Sequence, residues 1–433
     1  MTTELRSTLS SAQLATAATA LGDTDALLAN SYPGDTGSRQ PVHTVYVPGH
    51  KYRAGLAQQW GADAQAAVTA FGGIARLVEA LDVPDAERGI IAERGIIAER
   101  VSAKLATEAI EDLRIDFEDG FGDQGDAAED AAVVLAATEL AQDVAAGTAP
   151  PFVGIRFKCF EAETRDRGIR TLDLFVTTLV RETNGALPEG LILTLPKVTT
   201  VAQVEVMVAL LEQLETALGL TPGRLTFEVQ IETPQVIIAQ DGTIPVAQLL
   251  HAGNGRITGL HYGTYDYSAS VGVSAAFQSM EHPAADFAKE VMQVAVAGTG
   301  VRLSDGSTNV VPTSNDPALL AATWQLHARL VRRSLERAYY QGWDLHTAHL
   351  PSRFVATYTF FRTGVDQIAT RLRNYVQQNT EGFLDEPATA RPLAAFLARG
   401  LQSGAVSPAE LDERVGITEA ELLAIAYPTR QSR

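Results

Sequence analysis

The stretch LRIDFEDGFG, residues 113–122, alternates Leu113, Ile115 and Phe117 with polar neighbours and then meets two glycines. Such period-two alternation marks a β-strand, and the glycines beside Asp119 mark a tight turn after it. Asp116 and Glu118 share the face opposite the apolar residues, with Asp119 following at the turn. A core strand that gathers carboxylates at its end needs positive charge nearby, because a buried unpaired carboxylate is strongly destabilising or takes up a proton.

Seven further runs read the same way: HTVYVP (43–48), FVGIRFKCF (152–160), LILTLPKV (191–198), RLTFEVQIET (224–233), RITGLHYG (256–263), VRLSDGSTNVVP (301–312) and WDLHTAHLP (343–351). Helical patterns lie between them. One of these places Asp316 as N-cap and Pro317 at the first helical position, where a missing N–H does no harm. Parallel strands need helical crossovers, so eight strand-then-helix units predict an α/β fold, a (β/α)8 TIM barrel, over residues 43–362. Residues 1–42 read as an N-terminal helical extension that ends in the turn-rich SYPGDTGSRQPV, and 363–433 as a C-terminal helical segment packed on its own barrel or on a neighbouring subunit. ERGIIAERGIIAER (87–100) repeats a hexapeptide. A six-residue step turns a helix by roughly 600°, so its isoleucine pairs cannot share a face. The repeat reads as a surface or helix-lengthening duplication without chemistry.

With 433 residues, 46% hydrophobic and 20% charged, the chain is built to fold around a sizeable core. Its net charge of −18, with no basic stripe, sets a field that repels nucleic acid and anionic membrane, so neither is expected as a partner. The single cysteine, Cys159, permits no internal disulfide and suits a reducing compartment. The first residues are polar rather than signal-like, and no apolar run is long enough to span a bilayer, so a cytoplasmic location is expected.

In a barrel, catalytic groups sit at the C-terminal strand ends. Those ends hold His50, Glu118 with Asp119, Arg156 with Lys158, Lys197, Glu232 and, just past the sixth strand, Asp266. Alternation puts Asp116 with Glu118, Arg156 with Lys158, and Glu228 with Gln230 and Glu232 on one converging face. Five carboxylates (Asp116, Glu118, Glu228, Glu232, Asp266) then meet three cations (Arg156, Lys158, Lys197). Two readings stand: a structural ion-pair network, or a divalent cation that closes the deficit. Oxygen ligands without clustered His or Cys suit Mg²⁺ or Mn²⁺ better than zinc, with Glu232 and Asp266 as candidate ligands. Lys197 can form a Schiff base or pair with carboxylates. His50 reads as a loop hydrogen-bonding residue or a proton carrier. His346 and His349, three apart on one strand, would face opposite sides and share no metal.

The ordered series VYVPG, DFEDGFG, IRFK, LPKV, VQIETPQ, GTYDYSASVG and GWDLHTAHLPSR resembles the HpcH/HpaI aldolase and citrate lyase beta-chain family over roughly residues 43–362, and residues 264–343 also resemble malate synthases. The resemblance implies that Glu232 and Asp266 hold Mg²⁺ and that Arg156 grips a substrate carboxylate or enolate oxygen. It also implies that Glu118 and Asp119 order metal-bound water and that the subunits form trimers or hexamers; by their place at the strand ends, Lys158 and His50 join Arg156 as candidate substrate-binding residues. The implied activity is a Mg²⁺-dependent carbon–carbon lyase or aldolase acting on a 2-oxo acid such as pyruvate or oxaloacetate, or on its aldol adduct. The alternatives are a lyase or thioesterase acting on an acyl-CoA of malyl or citramalyl type, and a catalytically silent scaffold barrel. Lys158 stands where relatives carry Asn, and Asp119 where the HpaI branch carries His, so the general base is open. Leu350 separates His349 from Pro351, where relatives read His-Pro directly.

Overall fold

The computed structural model describes residues 8–81, 88–314, 316–378 and 386–428, apart from the side chains of 88–92. Eight strands form one sheet: β1 His43–Pro48, β2 Asp112–Asp116, β3 Phe152–Arg156, β4 Gly190–Leu195, β5 Thr226–Ile231, β6 Ile257–Tyr262, β7 Arg302–Ser304 and β8 Gly342–Asp344. Every pairing is parallel, in the order β7-β6-β5-β4-β3-β2-β1-β8. A bridge between Ser304 and Gln341 brings the two ends of the sheet together, and Asp305 N donates to Gln341 O at 2.8 Å. The result is a (β/α)8 barrel. Outward residues such as Leu113, Ile115, Val153, Leu193, Val229 and Leu260 are almost fully buried beneath the helices. Each such side chain stabilises the layer by about 1.5–3 kcal/mol. At Gly154 a Cβ would lie 1.7 Å from Ile192 O, so β3 and β4 can approach only because this residue is glycine.

Helix Pro317–Glu336 begins as its sequence predicts, with Asp316 Oδ1 accepting from Ala318 N at 2.8 Å. Seven of the eight strands end before the runs their patterns imply, and at three of them the difference relocates residues singled out above. β7 stops at Ser304 because Asp305 Oδ1 accepts from Gly306 N at 2.8 Å and turns the chain. β8 stops at Asp344, and His349 opens the helix His349–Arg362 with Pro351 in its first turn. His346 and His349 are therefore not strand neighbours. β3 stops at Arg156, so alternation no longer governs Lys158 or Cys159. Within helix Arg88–Thr107 the second hexapeptide is no surface insert, since Ile97 and Ala98 belong to the core; the first copy's isoleucine side chains lie outside the described residues.

Helix Ser11–Ser31 buries none of its residues. The segment that follows runs across the N-terminal strand ends and is fastened there. Gly34 N donates to Gly298 O at 2.8 Å, and Gln40 Nε2 to Leu303 O at 3.0 Å. The helices Val365–Val376, Pro387–Ser403, Pro408–Val415 and Glu419–Ala426 surround their own apolar cluster, with Leu372, Leu397, Leu411 and Leu422 at its centre. They dock on the barrel through the ring of Phe396 against Phe361, 5.2 Å apart, and through buried Arg362, which donates to Ala405 O and Glu410 Oε1 at 2.8 and 3.0 Å. They also reach the segment beneath the barrel: Arg399 pairs with Asp35 at 3.3 Å, and Gln402 Nε2 donates to Gly37 O at 2.7 Å. Among the described residues, no helix is long and apolar enough to cross a membrane.

Candidate active site

The interior of the barrel is polar and built in tiers. On β2, Asp112, Arg114 and Asp116 share the inward face, which the sequence reading followed only from Asp116 onward. Fully buried Arg114 pairs with Asp112 and forks onto Glu228, with Nε to Oε1 at 3.0 Å and Nη2 to Oε2 at 2.8 Å. Thr194 and His261 complete the shell of Glu228, at 2.6 and 2.8 Å. Burial would raise the Glu228 carboxyl, but Arg114 and then His261 hold it far below the ordinary range. Glu228 is thus a satisfied floor residue and does not belong to the mouth, as strand counting had implied.

One tier higher, Asp116 takes Arg156 in a two-point grip. Nε meets Oδ1 and Nη2 meets Oδ2, each at 2.7 Å. The same oxygens accept from Glu118 N at 3.0 Å and Gly120 N at 2.8 Å. Residue 120 must be small, because a Cβ there would sit 2.5 Å from Asp116 Oδ2. The guanidinium lies 4.8 Å from the centroid of Tyr46, whose hydroxyl accepts from Gln230 Nε2 at 3.1 Å. Tyr46 also packs on Trp343, with centroids 4.7 Å apart. Arg156 is therefore rigid, with Nη1 turned to the mouth, 3.0 Å from Glu118 Oε2 and 3.4 Å from Gln230 Oε1.

At the mouth, Lys197 Nζ lies 2.6 Å from Glu118 Oε1 and 2.8 Å from Asp119 Oδ1. Burial works against its charge, but these carboxylates raise the ammonium above its ordinary value, which makes it a poor amine nucleophile. Lys197 has φ 49°, a left-handed backbone that aims its own N–H at Glu232 Oε1, 2.8 Å away. The Glu232 side chain is 2% exposed and packs against Gly263, where a Cβ would strike Oε2 at 2.5 Å. Asp266 stands exposed in the first turn of helix Thr264–Ser270, close enough for its charge to act on Glu232. Burial first, then the charges of Glu118 and Asp266, push the Glu232 carboxyl up to about 8. Asp119 behaves oppositely: against burial, the Lys197 hydrogen bond and then Arg156 hold it below the ordinary range.

Lys158 does not face this cluster. Its ammonium turns to Glu129 at 2.6 Å and to Phe117 O at 3.0 Å, because the strand has already ended. His50 sits at the rim, edge-on to Phe121, with Gln124 Nε2 3.2 Å from its Nδ1. The mouth thus holds Arg156 and Lys197 against Asp116, Glu118, Asp119, Glu232 and Asp266, a larger deficit of positive charge than the sequence count gave. Glu118 Oε2 is buried without a hydrogen bond, and burial lifts the Glu118 carboxyl despite Arg156. That oxygen still lies 3.0 Å from Arg156 Nη1, so two cations serve a crowd of carboxyl oxygens, donors of the kind a hard divalent ion accepts.

A second cluster lies between barrel and helices, where His327, Asp344 and His349 bring ligand-type atoms within 4.8 Å of one another. It is already saturated. Asp344 accepts from Arg353 Nη2 at 2.9 Å and lies 3.1 Å from both His43 and His327. His349 Nδ1 accepts from Leu345 N at 3.3 Å while Nε2 meets Val310 O at 3.0 Å, which leaves the ring no lone pair for a metal. The stacked imidazoles of His327 and His349, 4.4 Å apart, are structural.

The fold and mouth define a (β/α)8 barrel with an acidic opening gripped by one fixed arginine. The chain belongs to the DUF6986 family, described as a domain of unknown function, which matches residues 21–430. No curated protein matches it. Among solved structures, a citrate lyase from Burkholderia xenovorans LB400 is similar, with 18% identity, 76% of this chain and 95% of that chain covered, and a TM-score of 0.53. A malate synthase from Haloferax volcanii shows 13% identity over 90% of this chain and 97% of its own, at a TM-score of 0.48. Protein CitE from Mycobacterium tuberculosis shows 13% identity over 85% and 99%, at 0.45. The first of these shares the barrel fold.

Proposed function

We propose that this protein is a Mg²⁺-dependent carbon–carbon lyase of the HpcH/HpaI and citrate lyase beta-chain type, acting on a 2-oxo acid or its aldol adduct. The observation that carries this reading is the crowding of Glu118, Glu232 and Asp266, which pushes the buried Glu232 carboxyl up to about 8, beside a rigid Arg156. The ordered motif series supports it. Glu232 and Asp266 would hold the ion, with Glu118 alongside; oxygen-only donors suit a hard cation. A bound Mg²⁺ supplies positive charge where the keto oxygen of an enolate becomes negative.

The remaining work falls to side chains of this chain. Arg156 Nη1, fixed by Asp116 and Tyr46, binds the substrate carboxylate and adds charge stabilisation that requires no rearrangement. Lys197 stays protonated and orients Glu118 and Asp119. Asp119, ionised and at the rim, is placed to accept or return a proton. Tyr46, packed against Trp343 at a tilt of 40°, would back Arg156 on the side away from the substrate.

The test is titration with Mg²⁺ followed by pyruvate release from 4-hydroxy-2-oxo acids, with malyl-CoA and citramalyl-CoA as parallel substrates. Mg²⁺ binding that is lost in Glu232→Ala, together with metal-dependent pyruvate release, is the expected result. Turnover confined to the thioesters would move the assignment to the acyl-CoA branch. Metal binding equal in wild type and Glu232→Ala, without turnover of any substrate, would leave only a silent barrel.

A further inference from the structure

At the opposite end of the barrel, the starts of β3 to β7 and the segment 30–38 enclose a cavity of about 620 Å³. Phe152, Leu191, Ile192, Ile257 and Val301 supply apolar wall, and Arg302 stands at the edge. The Arg302 guanidinium is half-buried, and burial holds its pKa below the ordinary value. It donates to Ser38 Oγ at 2.6 Å and lies 5.8 Å from the centroid of Phe152. No ion pair to it occurs among the described residues; Asp35 acts on it from a distance while bonding Arg399. Ser38 Oγ also accepts from Thr36 Oγ1 at 3.0 Å. Both Ser38 lone pairs are then occupied, and its own hydrogen is left to donate. Glu189, also on the wall, acts on the charge of Arg224.

A guanidinium without a carboxylate and a hydroxyl with a free hydrogen, together at the edge of an apolar hollow, match an anion that carries an apolar body. We propose that this hollow is a binding site for a small organic carboxylate, with its charge on Arg302 and Ser38 and its apolar body against Phe152 and Ile257. The site stands apart from the mouth chemistry, since Arg302 begins β7 while the mouth lies at the strand ends.

Isothermal titration of the full chain with 2-naphthoate tests it, with neutral 2-naphthamide and inorganic phosphate as comparisons. Saturable naphthoate binding is expected, at least tenfold weaker in Arg302→Gln, severalfold weaker in Ser38→Ala and unchanged in Arg156→Gln. Ser38 is exposed and outside the barrel, so its substitution spares the fold and keeps the test open if Arg302→Gln misfolds. Absence of saturable binding would overturn the proposal. So would equal binding of the amide, or binding that survives Arg302→Gln and is lost in Arg156→Gln, because the ligand would then sit at the mouth. Phosphate binding as tight as naphthoate binding would remove the apolar part of the assignment.

Discussion

The grip of Asp116 on Arg156 makes a demanding prediction for Asp116→Asn. Four N–H groups converge on two carboxylate oxygens: Arg156 Nε and Glu118 N on Oδ1, Arg156 Nη2 and Gly120 N on Oδ2. Asparagine keeps the shape but turns one acceptor into a donor, so two of the four donors face an N–H in either amide orientation. Each unsatisfied buried donor costs about 1–3 kcal/mol, and breaking a buried ion pair by removing one partner costs about 3–5 kcal/mol. The two estimates overlap, and Glu118 at 3.0 Å remains to compensate part of the guanidinium charge. A loss of about 3–5 kcal/mol in urea denaturation is expected. With Arg156 released, affinity for 2-oxo acids should fall as well, because the arginine must be re-ordered on binding. A loss below about 1 kcal/mol, on the scale of an exposed pair, would refute the idea that Asp116 fixes Arg156.

Arg114→Met should destabilise by about 3–5 kcal/mol because it leaves Asp112 and Glu228 without their cation, and Glu228→Gln in the same chain should recover part of that loss in chemical denaturation. Burial, with the neighbouring His327 ring, lowers the His349 imidazole from 6.5 to about 3. Between these values the unfolded chain binds a proton that the folded chain refuses, so stability falls with pH by up to about 1.4 kcal/mol per unit. His349→Gln should make the acid limb of a stability–pH curve shallower below pH 6.5, and an unchanged slope would count against it. Gly154→Ala should fail to give soluble protein, since its methyl group would lie 1.7 Å from Ile192 O.

The barrel was legible in the sequence because strand period and helix signals agreed along most of the chain: β1 spans His43–Pro48 as the pattern reads. The runs over-read at β7 and β8 share a cause. Asp305-Gly306 is a turn signal inside an apolar stretch, and Pro351 suits the first turn of a helix as readily as a strand end. Lys158 was placed at the mouth by extending alternation past Arg156, whereas parity ends with the strand. Arg114 escaped notice because the count of inward charge began at strand ends. Followed back two residues from Asp116, the same alternation points to it. The bond from the Lys197 backbone to Glu232 has no sequence signal, since it depends on a left-handed lysine that propensity would not select.

The pairing of Arg399 with Asp35 and of Gln402 with Gly37 ties the last helices to the segment that underlies the barrel. Two stretches more than three hundred and fifty positions apart therefore share one mechanical fate. Linkage makes that relation reciprocal: whatever steadies the helical cap also steadies the floor strap, and a molecule lodged beneath the barrel would tighten the cap in return. A truncation beyond residue 386 would then register as a loosened underside, at the end of the barrel remote from the mouth.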